Sequence, residues 1–391
     1  MADVASLSEH AATLRRQLHR IPELGYEEHD TAALIRGELD RLKIDHVAGP
    51  DDAPTATIAV LGDTSKPCIL LRADIDALPI VERTGLDYAS EREGVMHACG
   101  HDGHTANLLG VAAALVDEQL DVCIKLVWQP AEEGGGGGRR LCEAGVLDGT
   151  SAFGPKVEAA FGLHGWPMLP VGCVSSKPGP LLAATDTFEA VFTGQGGHAA
   201  FPHFTRDPLV VAAGAVTDLQ QLVSREIDPT DSAVLSVTRF HAGTANNVIP
   251  GEAVVGGTCR TLLPETREHA RDAMRRRLEA AASAGRCDVA FTWNDGYPPT
   301  VNDPAMTELV RRVAGDRYLP ADRPAMGGED FSYFLERVPG CFFLIGLLPE
   351  GCDDYPALHT DRFDFTDDAL AVGIETMLRI VRSYARSSTA A

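Results

Sequence analysis

Apolar positions along the chain recur at helical spacing in some stretches and form short continuous runs in others. Leu14, Leu18 and Ile21 predict an opening helix, and Leu34, Ile35, Leu39 and Leu42 a second. Thr57–Leu61 and Cys68–Leu71 read as strands, the latter leading into Arg72-Ala-Asp-Ile-Asp76. A histidine-rich loop follows, after which Leu108, Leu109, Ala112, Leu115 and Val116 mark a helix. Val122–Trp128 predicts a buried strand that delivers Gln129-Pro-Ala-Glu-Glu133 at its C-terminal end. Gly134–Gly138 predicts a flexible turn before a helix around Leu141–Leu147. Such alternation predicts an α/β sheet, and these sheets place their sites at strand C-termini.

The pattern changes near Pro178–Pro180. Strands are predicted at Thr187–Thr193, Ala233–Phe240, Ala253–Cys259 and Val289–Trp293, with helices over Asp207–Val223 and Glu265–Ala282. In the second of these helices Ala270, Met274, Leu278 and Ala281 share a face. A unit of roughly a hundred residues suits a domain. Ala305–Val313 then starts another helix and Cys341–Gly346 another buried strand. The last helix, capped by Thr366 with Asp367 and Asp368 in its first turn, runs through Val372 to Tyr384. The expected fold class is therefore α/β: a catalytic domain with a central mixed sheet flanked by helices, interrupted by an inserted α+β domain. The expected boundaries are 1–180 and 297–391 for the two catalytic parts and 181–296 for the insert.

Composition narrows the partners. With 391 residues, 45% hydrophobic and 23% charged, the chain is ordinary globular protein long enough for two domains. Its 34 basic and 56 acidic side chains leave a formal charge of -22, which argues against nucleic-acid binding. No apolar run approaches membrane-spanning length. The nine cysteines are scattered without a Cys-x-x-Cys pair, and the start Met-Ala-Asp-Val-Ala-Ser lacks the features of a secretory signal. The expected location is the cytoplasm, with free or metal-bound thiols.

The densest chemistry lies in His97-Ala-Cys-Gly-His-Asp-Gly-His-Thr-Ala106 and in the pair Glu132-Glu133. Cysteine and histidine beside carboxylate suit zinc or a neighbouring first-row divalent ion better than calcium or magnesium. Adjacent glutamates permit one to bind metal while the other moves protons. His164 ends an apolar run and His359 precedes the C-terminal helix; either alone reads more often as a structural histidine. With Cys99, His101 and Glu133 they make five donors, enough for two ions sharing a ligand about 3.5–4 Å apart. His198, after consecutive glycines, is a turn histidine or a donor to a developing oxyanion. Asn246–Pro250, Arg260 and Met326–Phe331 bring amides, a guanidinium and open backbone N–H groups suited to a carboxylate. Trp166, Phe201, Phe204 and Leu181-Leu182 line an apolar pocket or belong to the core.

Arg-Ala-Asp-Ile-Asp-Ala-Leu-Pro-Ile, His-Ala-Cys-Gly-His-Asp-Gly-His-Thr-Ala and Gln-Pro-Ala-Glu-Glu stand in an order typical of one family. Gly-Gly-His-Ala-Ala-x-Pro-His, Asn-Asn-Val-Ile-Pro, Met-Gly-Gly-Glu-Asp-Phe and the late Leu-His continue it over essentially the whole chain. The sequence resembles the metallo-amidohydrolases that include hippurate hydrolase, N-acyl-amino-acid amidohydrolases and auxin-conjugate hydrolases, within the aminoacylase and carboxypeptidase group of dinuclear metallopeptidases. The resemblance implies Cys99, His101, Glu133, His164 and His359 as metal ligands and Glu132 as general base. Asp76 is implied to orient or tune the metal site; Asp74 stands where wider relatives carry a histidine. His198 is implied to stabilise the tetrahedral intermediate, in its own or a partner subunit's site. Asn247, Arg260, Gly327 and Gly328 match substrate-positioning regions, and His97 and His104 fall outside the ligand set.

The implied activity is hydrolysis of a small-molecule N-acyl-amino acid to a carboxylic acid and a free amino acid. It would use two divalent ions per subunit, Zn²⁺ or Mn²⁺, with Co²⁺ or Ni²⁺ as further candidates. A homodimer joined through the insert, which acts as a lid, is implied as well. A metallo-dipeptidase is the nearest alternative, although no anchor for a free α-ammonium group is apparent. A metal-stabilised binding protein without turnover is the alternative from another class.

Overall fold

The computed structural model describes residues 4–388, and the reading of the Met-Ala-Asp start lies outside them. These residues form two compact units, one comprising residues 4–179, 301–322 and 330–388, the other 180–300 and 323–329. The first unit opens with α1 (Val4–Arg20), α2 (His29–Arg41), β1 (His46–Ala48), β2 (Thr57–Leu61) and β3 (Cys68–Asp74). It continues through α3 (His101–Leu115), β4 (Cys123–Gln129), α4 (Gly137–Glu143), β5 (Gly154–Pro170) and β6 (Val174–Ser176). The second unit contributes β7 (Ala184–Thr193), α5 (Pro208–Glu226), β8 (Ala233–Ala242), β9 (Glu252–Thr261), α6 (Pro264–Ala284) and β10 (Asp288–Asn294). The chain then returns to the first as α7 (Pro304–Ala314), β11 (Tyr318–Pro320), β12 (Gly340–Leu348) and α8 (Leu370–Ser388). Residues 323–329, expected in the second catalytic part, instead belong to the second unit, where Ala325 N donates to Leu181 O and Ala183 N to Gly327 O.

The first unit is built on a nine-stranded mixed sheet with the main order β1-β2-β4-β3-β5-β12-β6-β11. Its middle, β4-β3-β5-β12, is parallel throughout, while β2 and β6 join antiparallel. Parallel strands covered on both faces must be apolar on both, which is why β3, β4 and most of β12 are buried at every position. Helix α3 lies across α1 and α8 and is buried over nearly its whole length, so it has no polar stripe. Helix α1 turns Ala11, Leu14 and Leu18 inwards, and each fully buried leucine contributes about 1.5–3 kcal/mol. The same face buries Arg15 and His19, which reach Asp102 in the first turn of α3 (Arg15 Nη1 at 3.3 Å, His19 Nδ1 at 2.8 Å).

The second unit is a four-stranded antiparallel sheet, β8-β9-β7-β10, packed on α5 and α6. Helix α5 is capped by Asp207, whose side chain accepts from the N–H groups of Leu209 and Val210, with Pro208 opening the helix. Three local expectations are corrected. The histidine-rich segment is not all loop, because His101, Asp102 and His104 already belong to α3. Gly137 and Gly138 begin α4 rather than a free turn, and that helix ends at Glu143, short of Leu147. Thr366 makes no side-chain cap: Asp367–Ala369 form a 3₁₀ turn, and Asp367 pairs instead with Arg15 and Arg16.

Candidate active site

The C-terminal ends of the parallel strands converge on one group of side chains. Strand β3 ends at Asp74 and leads to Asp76, β4 ends at Gln129 and leads to Glu132-Glu133, and β5 carries His164 beside Leu344 of β12. Cys99 and His101 are joined by Gly100, which sits at φ +87° as the residue before α3, and a Cβ there would lie 3.0 Å from Phe365. A left-handed, crowded junction of this kind requires glycine. His359 is itself left-handed (φ +62°), and its N–H donates to Ala98 O at 2.8 Å, placing it beside Cys99. Strained non-glycine backbone of this sort concentrates at functional sites.

The five donors implied by the family resemblance meet in two overlapping groups. Cys99, His101 and His164 have donor atoms within 4.8 Å of one another, and so do Cys99, Glu133 and His359. Cys99 Sγ is common to both, 3.4 Å from His164 Nε2 and 3.3 Å from His359 Nε2. Glu133 Oε1 lies 3.1 Å from His359 Nε2 and 4.0 Å from His101 Nε2. Glu132 joins His101 and Glu133 in a further group, and its Oε1 accepts the N–H of Asp330 at 3.3 Å.

Hydrogen bonds at the back of the site fix the rings. His164 Nδ1 donates to Gly165 O at 2.7 Å, which leaves Nε2 as a lone pair facing Cys99. Burial, with His104 alongside, holds His164 well below its ordinary pKa, so it is neutral. His101 Nδ1 lies 3.2 Å from Asp76 Oδ1, whose other oxygen accepts Glu133 N at 2.8 Å. Burial opposes a charge on His101, but Asp74, Asp76 and Glu133 outweigh it and raise its pKa to about 10. Burial and the carboxylates of Glu133, Glu132 and Asp74 push the Cys99 thiol well above its usual value. Burial likewise raises Glu133, but His359 and His101 hold it low.

This donor set fits a metal. It gathers a thiol, imidazoles and a carboxylate, and His101 Nε2 is buried without a hydrogen-bond partner among the described residues. A histidine anchored by a carboxylate through Nδ1, with Nε2 turned inwards, is the usual form of a metal ligand. The carboxylates of Asp74, Asp76, Glu132 and Glu133 around His101 and Cys99, which favour a positive charge there, also suit a bound cation.

Several supporting groups act through partners distant in sequence. Arg72, on the fully buried strand β3, donates from Nη1 to Asp74 Oδ2 (2.6 Å), from Nη2 to Asp330 Oδ1 (2.8 Å) and from Nε to Gln129 Oε1 (2.8 Å). Asp330 also accepts Gly138 N at 2.8 Å, which pins the start of α4. Breaking one member of such a buried network costs about 3–5 kcal/mol. His104 bridges Asp74 Oδ1 (2.6 Å) and Gly165 N (2.8 Å). His97 is fully buried with both ring nitrogens unpartnered among the described residues, and burial lowers its pKa to about 4.

In the second unit the predicted residues fall into two groups. His198 pairs in a short ladder with Val248, its Nδ1 accepts Ala200 N at 3.1 Å, and Ala199 N donates to Asn247 O. Arg260 lies on β9 opposite Thr185, Gly327 O accepts Ala183 N, and a Cβ on Gly328 would meet Thr185 at 2.0 Å. The first group lies beyond the C-terminal end of β7, the second at its start. Ten residues of strand separate them, roughly 30 Å at a strand's rise. Phe201 and Phe204 are 53% and 72% exposed, so neither is core, whereas Leu181 and Leu182 are buried.

The model of peptidase family M20/M25/M40 matches residues 70–383. The chain is 38% identical over 382 residues to IAA-amino acid hydrolase ILR1-like 4 of Arabidopsis thaliana, covering 95% of this chain and 84% of that protein. It is 41% identical over 365 residues to N-acetyl-L-cysteine deacetylase of Bacillus subtilis (strain 168), covering 92% and 86%. The crystal structure of the Bacillus subtilis YXEP protein, described as a dinuclear metal binding peptidase, superposes with a TM-score of 0.85 at 34% identity, over 98% and 99% of the two chains. Among the described residues no helix is long and apolar enough to cross a membrane.

Proposed function

The chain belongs to peptidase family M20/M25/M40, and from that premise we propose that it is a metal-dependent amidohydrolase releasing a free amino acid from an N-acyl-amino acid. The observation that carries the reading is Cys99 Sγ standing between two donor groups, with Glu132 beside them. Cys99, His101 and His164 would hold one ion, and Cys99, Glu133 and His359 the other. A thiolate ligand leans towards softer ions such as Zn²⁺, with Mn²⁺, Co²⁺ or Ni²⁺ set by availability. When bound, the ions polarise the amide carbonyl and lower the pKa of water. Glu132 takes the proton of the attacking water at its carboxylate and passes it to the leaving nitrogen. Asp76 holds His101 by Nδ1, and the Asp330 N–H holds Oε1 of Glu132. Arg260 and the Gly327-Gly328 backbone would grip the α-carboxylate of the substrate, with Asn247 contributing near His198. The setting proposed is the cytoplasm.

The test is amino-acid release from N-acetyl- and N-benzoyl-amino acids by chelated protein and by protein reloaded with Zn²⁺ or Mn²⁺. Release is expected only after reloading. Cleavage confined to peptides with a free α-amine would replace this reading with a dipeptidase, and no turnover of either class would leave a binding protein.

The separation of His198 from Arg260 along β7 supports a homodimer in which the second unit acts as lid and lends His198 to the partner's site. There its ring would donate to the oxyanion of the tetrahedral intermediate. Mixing inactive Glu132→Gln and His198→Ala proteins under subunit exchange tests this. In a two-fold dimer the mixture should regain about a quarter of wild-type activity, because each mixed dimer holds one complete site. No recovery, with mixed dimers demonstrated, would place His198 in its own subunit's site.

A further inference from the structure

Glu28, which precedes α2, is fully buried and was not singled out by any motif. Its Oε1 accepts the N–H of Ala131 at 2.9 Å, and its Oε2 accepts the Thr55 hydroxyl at 2.7 Å. Ala131 stands immediately before Glu132 in a left-handed conformation (φ +53°) that alanine rarely adopts. The turn around it is closely packed: a Cβ on Gly25 would lie 2.9 Å from Ala131 Cβ, and one on Gly135 2.6 Å from it. On the other side of Glu132, the Glu133 N–H is accepted by Asp76 Oδ2 at 2.8 Å. The peptide N–H groups of the residues before and after Glu132 are thus each held by a carboxylate, from two separate parts of the fold.

We propose that Glu28 is a positioning residue for Glu132: by accepting the Ala131 N–H it fixes the left-handed turn that aims the Glu132 carboxylate into the site. The proposal rests on the reading of Glu132 as general base. A merely structural role explains the geometry less well. A buried carboxylate facing only neutral donors is costly to desolvate, so packing of α2 alone does not account for its presence. What an apolar side chain cannot do is accept the Ala131 N–H. Asp76 does two things at once, holding His101 and Glu133, whereas Glu28 acts on the Glu132 turn and on Thr55.

The experiment compares Glu28→Met, Glu28→Gln and Thr55→Val with wild type, each metal-loaded, on an N-acyl-amino acid the wild type cleaves. Glu28→Met fills the volume but accepts nothing. It should lower kcat roughly tenfold to hundredfold, the range expected when a catalytic group is misplaced by about an ångström. KM should stay within about twofold and metal content should match wild type, while Tm should fall modestly because the Ala131 N–H and the Thr55 hydroxyl lose their acceptor. Glu28→Gln keeps an oxygen for Ala131 and should recover most of the lost kcat. Thr55→Val removes only the other hydrogen bond and should leave kcat unchanged. Wild-type kcat in Glu28→Met overturns the proposal, as does an equal loss in Thr55→Val or a loss that follows metal content. A wild type that cleaves nothing would overturn the Glu132 reading itself, and this one with it.

Discussion

Replacing Glu132 by Gln is expected to leave a folded, metal-loaded protein whose kcat on N-acyl-amino acids falls by about 10²–10⁴-fold. The change is isosteric, so the Asp330 N–H can still find an oxygen at its 3.3 Å position, and neighbouring Ala131 and Glu133 keep their own backbone partners. What disappears is the capacity to take a proton from water and return it to nitrogen, since an amide does neither near neutral pH. The donors Cys99, His101, Glu133, His164 and His359 are untouched, so elemental analysis should return the wild-type metal content. Near-normal hydrolysis by a metal-replete variant would sink the assignment of Glu132. Loss of metal in step with activity would move Glu132 from proton transfer to ligation, which its place within 4.8 Å of His101 and Glu133 donor atoms makes a real contrast.

The sequence carried the sheet and the donor set because both have local signatures. Thr57–Leu61 is a strand with those bounds, and the apolar runs before Glu132 and through His164 lie on parallel neighbours of β3. Cysteine, histidine and paired glutamates marked the candidate chemistry, and the donor set implied by the family resemblance consists of residues that do meet in space. Long-range partnerships were illegible. Nothing in the sequence shows where the Arg72 guanidinium goes, yet it is buried among Asp74, Gln129 and the distant Asp330. Lys125 on β4 is also buried, its ammonium capped by the carbonyls of Val146 and Pro155. Glu28 depends on Thr55 and Ala131, both far along the chain. Helix α3 begins at His101 although its periodicity is visible only from Leu108, since a helix buried on all sides shows no amphipathic stripe. The return of residues 323–329 to the second unit follows from backbone hydrogen bonds to Leu181 and Ala183, which no composition change announces.

Cys99→Ala should have the largest effect on metal content. A residue belonging to one donor group can be lost with one ion; Cys99 belongs to both, 3.4 Å from His164 Nε2 and 3.3 Å from His359 Nε2. Removing its sulfur takes an anionic donor from each group at once and leaves His101, His164, Glu133 and His359 around a small void. Metal measured after gel filtration should fall to well under one ion per chain, and activity with it. Cys99→Ser, which restores a harder and weaker donor, should recover part of the metal in excess Mn²⁺ but little in Zn²⁺, following ligand softness. The other eight cysteines provide the control: Cys341, fully buried against Ser176 and Phe342, lies outside every candidate donor group among the described residues. Its replacement by Ala should cost stability without changing the metal count. Full metal occupancy in Cys99→Ala would remove the shared thiolate from the proposed centre and leave the two groups to be joined by a carboxylate or by solvent instead.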